Sequence, residues 1–140
     1  MVTGLSLFAN DIIVKESRCS VDVTVKHIKN IVEKKGLHVF AVINHSGNAE
    51  AVGLKLNKSK MIVFGNAKLG TGLMQQDMTT GLDLPLRILV FRDTDNKVKM
   101  AYRDGSWLKN HHLIEAQKKI AKMNKALDYI TTKAGKCKKD

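Results

Sequence analysis

Residues 61–74 read MIVFGNAKLGTGLM, an apolar run that passes into a turn rich in glycine. The segment Lys60–Phe64 predicts a β-strand, and the glycine and asparagine after it predict a tight turn. Leu69–Gln76 predicts a helix with Leu73 and Met74 facing inward. Many α/β folds place their ligands where a strand ends in such a loop. This stretch therefore predicts both a strand–turn–helix unit and the place of a site.

Upstream, the sequence predicts a helix that begins at Ser20 and ends at Gly36. Ile12–Val14 predicts a short first strand. The continuously apolar segment Leu37–Ile43 predicts a second strand that is buried on both faces. The apolar positions of the helix, spaced by four, three and four residues, are Val21, Val25, Ile28 and Val32.

Downstream, a hairpin and a long helix complete the pattern. The strands Leu86–Phe91 and Val98–Tyr102 flank the polar turn Asp93–Asn96, which predicts a hairpin. The last helix carries one apolar stripe, which predicts a helix lying on the sheet, with a dimer seam as the alternative use of the stripe. The stripe, alternately spaced by three and four residues, consists of Leu113, Ala116, Ile120, Met123, Leu127, Ile130 and Ala134.

Helices and strands interleave along 140 residues, a length that fits one domain. The predicted class is α/β (α+β): a two-layer sandwich with a mixed sheet of about five strands, a C-terminal hairpin and packing helices. Residues 12–134 form the predicted domain and residues 135–140 a basic tail. Residues 1–11 fit either the remnant of a trimmed export signal or an ordinary lead-in to the first strand. No stretch approaches the roughly 18 apolar residues of a membrane span.

The formal net charge is +11, which would attract anionic partners. From Glu115 onward there are eight lysines against three acids, so much of the excess belongs to the last helix and the tail. Nucleic-acid binding through this helix is one interpretation, but the chain has only seven aromatic residues, and they do not interleave with the lysines. The sequence favours a solvated lysine face over a nucleic-acid surface.

The glycine turn matches neither nucleotide-binding motif completely. Gly65 and Gly70 have the spacing of a P-loop, but Thr71 and Gly72 follow where lysine and a hydroxyl residue are required. The dinucleotide fingerprint lacks its third glycine. Two interpretations remain: backbone amides together with Lys68 and Thr71 bind an anion, or the glycines only form a tight turn.

Residues for metal binding or catalysis form no recognised motif. The five histidines lack a helical metal spacing, so neither a metal nor a cofactor is assigned, and no catalytic residue is identified. His45, at the end of a predicted strand, and His112, before the last helix, are the histidines best placed for function. Cys19 and Cys137 have no metal-like spacing, and the sequence leaves both their pairing and the cellular compartment open.

Five motifs occur along about 100 residues of this chain: Gly36-x-x-Val39-Phe40-Ala41-x-Ile43-x-His45, Val52-Gly53-Leu54, Phe64-Gly65-Asn66-x-Lys68-x-Gly70-Thr71-x-Leu73-Met74, Leu82-Asp83-Leu84-Pro85-Leu86-x-Ile88-Leu89-Val90 and His112-Leu113. In these motifs the chain resembles the bacterial family known as domain of unknown function 302. That family has proline where this chain has Ala67 and Gly72, which implies a less rigid turn here.

The resemblance implies a compact and often dimeric α/β domain of bacterial origin, without a settled activity. Many relatives carry an export signal, so a periplasmic location is implied as one possibility and a cytoplasmic one as the other. We therefore expect a homodimeric, non-enzymatic domain that binds a small anionic ligand or acts as an accessory. The alternatives are an enzyme that uses His45 or His112 as a general acid/base on a small substrate, and nucleic-acid binding. The expected ligand-binding residues are His45, Gly65, Asn66, Lys68, Gly70, Thr71 and His112.

Overall fold

The computed structural model describes residues 11–138, and the export-signal question concerns residues outside this range. Strands and helices alternate along the described chain. The elements are β1 (Ile13–Ser17), α1 (Val21–Lys34), β2 (His38–Asn44), α2 (His45–Ala51), β3 (Ser59–Gly65), α3 (Ala67–Gln76), a 3-10 turn (Met78–Leu82), β4 (Leu86–Arg92), β5 (Val98–Tyr102), α4 (Gly105–His111) and α5 (Gln117–Ala134).

The strands form one sheet in the order β1-β5-β4-β3-β2, and all neighbouring strands are antiparallel. The predicted number of strands and the β4–β5 hairpin are confirmed, whereas the prediction of a mixed sheet is wrong. The reason lies in the path of α1. It connects β1 to β2, which run in the same direction but lie at opposite edges with three strands between them. The parallel strands therefore never become neighbours.

Helices α1 and α5 pack against each other, and α1 lies on the sheet beside β3 and β4. In β3 the buried Ile62 and Phe64 alternate with half-buried residues, as expected for a strand with one face on a core. The predicted apolar positions of α1 are all buried. In α5 the stripe is confirmed from Ile120 onward, but Leu113 precedes the helix and is 85% exposed, while its neighbour Ile114 is buried.

Both predicted ends of α1 are confirmed. The Ser20 hydroxyl accepts a hydrogen bond from the backbone N–H of Val23 at 3.1 Å, which satisfies one of the free amides of the first turn. Gly36 follows the helix with a φ of +76°, a left-handed conformation that favours glycine.

Strand β2 is an edge strand, and the prediction that it is buried on both faces is wrong. It pairs only with β3, through a register that shifts between Val39 and Ala41. Phe40 is 47% exposed and Val42 is 45% exposed. A continuously apolar sequence is typical of a central strand, but it does not determine whether a second neighbouring strand exists.

A disulfide bond joins Cys19, at the start of α1, to Cys137, beyond the end of α5. The tail beside it is also bonded to the fold, because the backbone N–H of Arg18 donates to the carbonyl of Gly135 at 2.8 Å. The pairing that the sequence left open is thus a cross-link between residues that are 118 positions apart.

Within residues 11–138, no helix combines the length and the apolar character needed to cross a membrane.

Candidate functional site

The glycine turn is the capped start of α3. The side-chain oxygen Oδ1 of Asn66 accepts hydrogen bonds from the backbone N–H of Lys68 at 2.9 Å and of Leu69 at 3.2 Å. The N–H of Gly70 donates to the carbonyl of Asn66 at 2.9 Å. These are the amides that an anion would need. The geometry therefore favours a helix cap over an anion-binding turn.

Four of the predicted site residues do come together around a small cavity of about 180 Å³: Gly65, Asn66, Gly70 and Thr71. Its remaining walls, among the residues that the structure describes, are apolar. Lys68 is exposed and does not line the cavity. The space beside the turn therefore lacks the charge that the anion interpretation assigned to it.

His45 lies far from this turn. Asn44 pairs with Lys60 at one end of β3, whereas His38 pairs with Gly65 at the other end. Four residues lie between Lys60 and Gly65, and the five steps along the strand correspond to about 17 Å. The histidine beside the glycine turn is thus His38, and His45 begins α2 at the opposite end of the strand.

His112 is held between two acidic residues, and its side chain is only 7% exposed. Its Nε2 lies 2.6 Å from Oδ2 of Asp83, and its Nδ1 lies 3.0 Å from the hydroxyl of Thr79. That hydroxyl donates its single hydrogen to Oδ1 of Asp77 at 2.7 Å, so it accepts from His112. Both ring nitrogens therefore face acceptor oxygens.

The same network attaches the α4–α5 connection to the 3-10 turn. Oδ2 of Asp77 accepts from the backbone N–H of Leu113 at 2.9 Å, and the side chain of Gln76 accepts from the N–H of Glu115 at 2.9 Å. The hydrogen bond from the Thr79 hydroxyl, and then that from Leu113, lower the pKa of Asp77. Asp77 also caps the start of the 3-10 turn, where its side chain accepts a hydrogen bond from the backbone N–H of Thr79.

His45 and His112 lie at opposite ends of the sheet. Asp83, the partner of His112, comes shortly before Leu86, and Leu86 pairs with Phe64 at the end of β3 that carries the glycine turn. The general acid–base alternative requires both imidazoles in one pocket, and this arrangement does not support it.

A larger cavity of about 250 Å³ opens beside Asp83, on the sheet face that points away from the buried residues of β3 and β4. Its floor is apolar and consists of Met61, Leu89 and Ala101, one residue from each of three adjacent strands. The ring of Trp107, from α4, forms a side wall. This is the combination of concave shape and apolar lining that is typical of small-molecule sites.

Two arginines line the same cavity. The guanidinium of Arg103 lies 4.7 Å from the centre of the Trp107 ring, close enough for a cation–π contact. The guanidinium of Arg87 donates to the carbonyl of Leu82 at 3.0 Å, which fixes its direction. The cavity thus joins two permanent positive charges to an apolar floor.

The sequence alone did not predict this cavity. Asp83 entered only as part of a family motif, and Arg87, Arg103 and Trp107 were assigned to no site. One signal was present, because the hairpin pairs Leu89 with Ala101. If this register is extended by two residues away from the hairpin turn, Arg87 lies opposite Arg103.

The lysines of α5 point to solvent: Lys118, Lys119, Lys122, Lys125 and Lys133 are all exposed. This agrees with the solvated lysine face that the sequence favours, and nucleic-acid binding stays an untested prediction.

Comparison with known proteins identifies relatives across most of the chain. A family model described as "Domain of unknown function DUF302" matches residues 13–130. The chain is 34% identical over 116 residues to a Fluoride-specific ion channel FluC 1 of Brucella suis biovar 1 (strain 1330), a match that covers 83% of this chain and 46% of that protein. A Fluoride-specific ion channel FluC 1 of Brucella abortus biovar 1 (strain 9-941) matches at the same identity, with 43% of its length covered. The chain therefore spans less than half the length of these two relatives.

A solved structure shares the fold. The crystal structure of an uncharacterized conserved protein DUF302 from Bacillus stearothermophilus superimposes with a TM-score of 0.77. The alignment covers 89% of this chain and 98% of that protein, at 12% sequence identity. At this identity the likeness concerns the fold alone.

Proposed function

Because the chain belongs to the DUF302 family, a domain family of unknown function, we propose from its own geometry that it is a non-enzymatic domain that binds a small amphipathic anion. The observation that carries the proposal is the cavity of about 250 Å³ that combines Arg87 and Arg103 with an apolar floor.

The chemistry of the lining defines the ligand class. A guanidinium presents paired N–H donors that match a carboxylate or a phosphate. Met61, Leu89 and the Trp107 ring favour an aliphatic or aromatic body. The volume lies just below the roughly 300–1,000 Å³ of typical ligand sites, so the ligand is small.

The acidic residue in the lining does not cancel this preference. Asp83 already accepts a hydrogen bond from His112, whose side chain is nearly buried. The lining holds one carboxylate against two guanidinium groups, so its net charge stays positive. The two arginines then keep their positive charge available for a ligand.

Calorimetric titration with benzoate, hexanoate and octanoate, and with their neutral amides, tests this proposal. We expect the carboxylates to bind and the amides to bind at least tenfold more weakly, a difference of about 1.4 kcal/mol. Arg87→Gln and Arg103→Gln should each remove most of that preference. Arg92→Gln is the matched control, since Arg92 belongs to the same strand as Arg87 but does not line the cavity. Equal binding of acids and amides would contradict the proposal.

We also propose that the chain forms a homodimer through the β2 edge. Phe40 and Val42 are about half exposed in a strand whose sequence is that of a buried strand. Unpaired N–H and C=O groups on an apolar edge are a template for a further strand. A second copy would cover these side chains and pair the free backbone groups.

Native mass spectrometry tests the dimer. The wild-type chain should appear at twice the monomer mass, and Val42→Lys should appear as a monomer because it places a charge in the interface. Val14→Lys is the matched control, since Val14 is 53% exposed on the opposite edge strand. A monomeric wild type, or a Val14→Lys variant as monomeric as Val42→Lys, would contradict this interface.

A second candidate role is that of an accessory domain beside an ion channel. The relatives named as fluoride-specific ion channels are about twice as long as the stretch that matches this chain. The described residues of this chain contain no helix suited to crossing a membrane. We infer that the matching region of those proteins is separate from their membrane-spanning part.

Fluoride efflux from vesicles tests this role in the Brucella suis relative, with and without the matching region. We expect efflux to persist without the region, with its rate changed at least twofold. A complete loss of conduction by protein that still inserts, or no change in rate, would contradict the accessory role.

A further inference from the structure

We propose that Cys19, Cys137 and His27 form, after reduction of the disulfide, a site for a single Cu(I) ion with two sulfur ligands and one nitrogen ligand. This site is independent of the arginine cavity and of the β2 edge, so its failure would leave both earlier proposals unaffected.

The three side chains already form a cluster. Nδ1 of His27 lies 3.9 Å from Sγ of Cys19, and the donor atoms of all three residues lie within 4.8 Å of one another. In a planar site with three ligands, each about 2.1–2.3 Å from the metal, neighbouring ligand atoms lie about 4 Å apart. The Cα atoms of the cysteines are 5.3 Å apart, so side-chain rotation alone can separate the sulfurs to that distance. His27 and Cys137 are 8 and 118 positions from Cys19, a spacing that gives no metal-binding motif in the sequence.

Contacts other than the disulfide keep the donors together. The backbone bond from Arg18 to Gly135 at 2.8 Å joins the two cysteine-bearing segments. The His27 ring bonds to the carbonyl of Ala134 at 3.0 Å. Gly135 approaches β1 so closely that an added Cβ would lie 3.2 Å from the carbonyl oxygen of Glu16. Reduction therefore breaks the cross-link without removing the packing that sets its position.

Ligand type and number select the cation. Thiolate sulfur is a soft ligand that favours Cu(I) and Zn(II) among biological metals. Zinc sites are four-coordinate, so three protein ligands need a water or substrate in the fourth position, and this cluster offers three ligands among the residues described, one of them the buried Cys19. Two sulfurs and one nitrogen therefore suit Cu(I) better. Arg18 and Lys136, each adjacent to a cysteine in sequence, balance the net negative charge of a Cu(I) dithiolate.

The chemistry balances with a dithiol as the reductant. Two electrons and two protons pass from the dithiol to the Cys19–Cys137 bond, which becomes two thiols while the dithiol becomes a disulfide. Cu(I) then displaces both thiol protons and forms two copper–sulfur bonds. His27 gives up the hydrogen bond from Nδ1 to the carbonyl of Ala134, the ring hydrogen moves to Nε2 by exchange with water, and the freed Nδ1 forms the third bond to the metal. The copper does not change its oxidation state.

The test is an anaerobic titration of the reduced, full-length chain with Cu(I) held by a chromogenic chelator. We expect the reduced protein to withdraw one equivalent and the oxidised protein to withdraw none. X-ray absorption should find two sulfur neighbours and one nitrogen neighbour. His27→Ala should weaken the affinity at least tenfold, and Cys137→Ser should abolish stoichiometric uptake. His38→Ala, which alters an exposed histidine of the opposite edge strand, is the matched control and should bind as the wild type does.

Circular dichroism of each reduced variant distinguishes a lost ligand from a lost fold. No uptake by a folded, reduced wild type would overturn the proposal. Equal uptake by the oxidised chain would also overturn it, and so would an affinity unchanged by His27→Ala.

Discussion

The two edge strands of the sheet, β1 and β2, differ in how the rest of the molecule protects them. Strand β1 reads IVKES, carries two charged residues and is attached to α5, because the ammonium of Lys15 pairs with Asp128. Strand β2 reads HVFAVIN, contains no acidic, lysine or arginine side chain and exposes Phe40 and Val42.

This difference indicates what each edge is for. Short length, lysine within the strand and covering elements are the usual means of preventing a further strand from pairing. β1 has all three, together with the disulfide just beyond it. β2 contains no lysine, and it is longer and more apolar, with seven residues against the five of β1. We therefore interpret β1 as a closed edge and β2 as an edge that a second chain can extend.

The largest expected effect is at the closed edge. Cys137→Ser removes the cross-link and leaves the buried Cys19 in place, and it should lower the free energy of unfolding by about 4 kcal/mol, because the loop spans 118 residues. Urea unfolding without reductant measures this loss. Reductant should lower the wild type to the level of Cys137→Ser and leave the variant unchanged. A loss below about 1 kcal/mol would show that the cross-link does not stabilise this edge.

The tail also packs against β1 without a covalent bond. Gly135→Ala should cost about 1–2 kcal/mol, because its Cβ would lie 3.2 Å from the carbonyl oxygen of Glu16 and 3.3 Å from Cα of Ser17, both backbone atoms. Thermal unfolding of the two proteins gives the difference. Gly53→Ala tests a glycine with open space around it but a φ of +78°, so it separates backbone strain from crowding. An unchanged stability for Gly135→Ala would mean that the tail moves away freely.

The open edge predicts a stability that depends on protein concentration. If two copies pair through their β2 strands, a tenfold dilution of the protein should lower its melting temperature by about 2–3 °C, because association stabilises the folded chain by mass action. Val42→Lys should melt at one temperature at all concentrations. The melting temperature of Val14→Lys, a variant of the closed edge, should depend on protein concentration as that of the wild type does. A melting temperature of Val14→Lys that does not change with concentration would contradict the distinction between the edges.

The smallest expected effect concerns an ion pair near the open edge. Asp22 of α1 contacts Lys60 and Lys58 at 2.9 Å each, and hydrogen bonds from these lysines lower its pKa. Because the pKa of Asp22 is lower in the folded chain than in the unfolded chain, the ion pair stabilises the fold at pH values above the unfolded pKa of about 3.9. This stability is lost as the pH falls through the folded pKa. Asp22→Asn should therefore cost less than about 1 kcal/mol at pH 7, since the pair is exposed.

Urea midpoints between pH 7 and pH 3 measure this dependence, and the difference between wild type and Asp22→Asn should shrink toward the acid end. Asp128→Asn gives the matching value for the ion pair with Lys15 at the closed edge. A difference that grows with acid would contradict the assigned sign.

Local patterns in the sequence predicted most elements, because helix periodicity and turn residues act over short distances. The apolar positions of α1, and those of α5 from Ile120 onward, are buried as expected. Helix α4 was missed, although Asp104 accepts a hydrogen bond from the N–H of Trp107 at 3.1 Å and so caps it. Seven residues are too few to show a clear period.

What could not be predicted depends on contacts between distant residues. The apolar sequence of β2 is compatible with one neighbouring strand or two, and only the path of α1 across the sheet decides between them. The cysteine pairing likewise requires the position of the C-terminal tail relative to α1. Of the candidate site, Asn66 could be placed at the turn from its neighbours alone, whereas the approach of Asp83 to His112 across 29 positions could not.

The disulfide determines how the protein would respond to mechanical tension. Force applied to the segments before β1 and after Cys137 would pass along β1 to Cys19 and then directly through the covalent bond. Four of the five strands, and every helix of the described range, lie between the two cysteines and outside that path. A pull that would otherwise unravel the sheet would therefore peel off one short strand and leave the rest of the domain under no load.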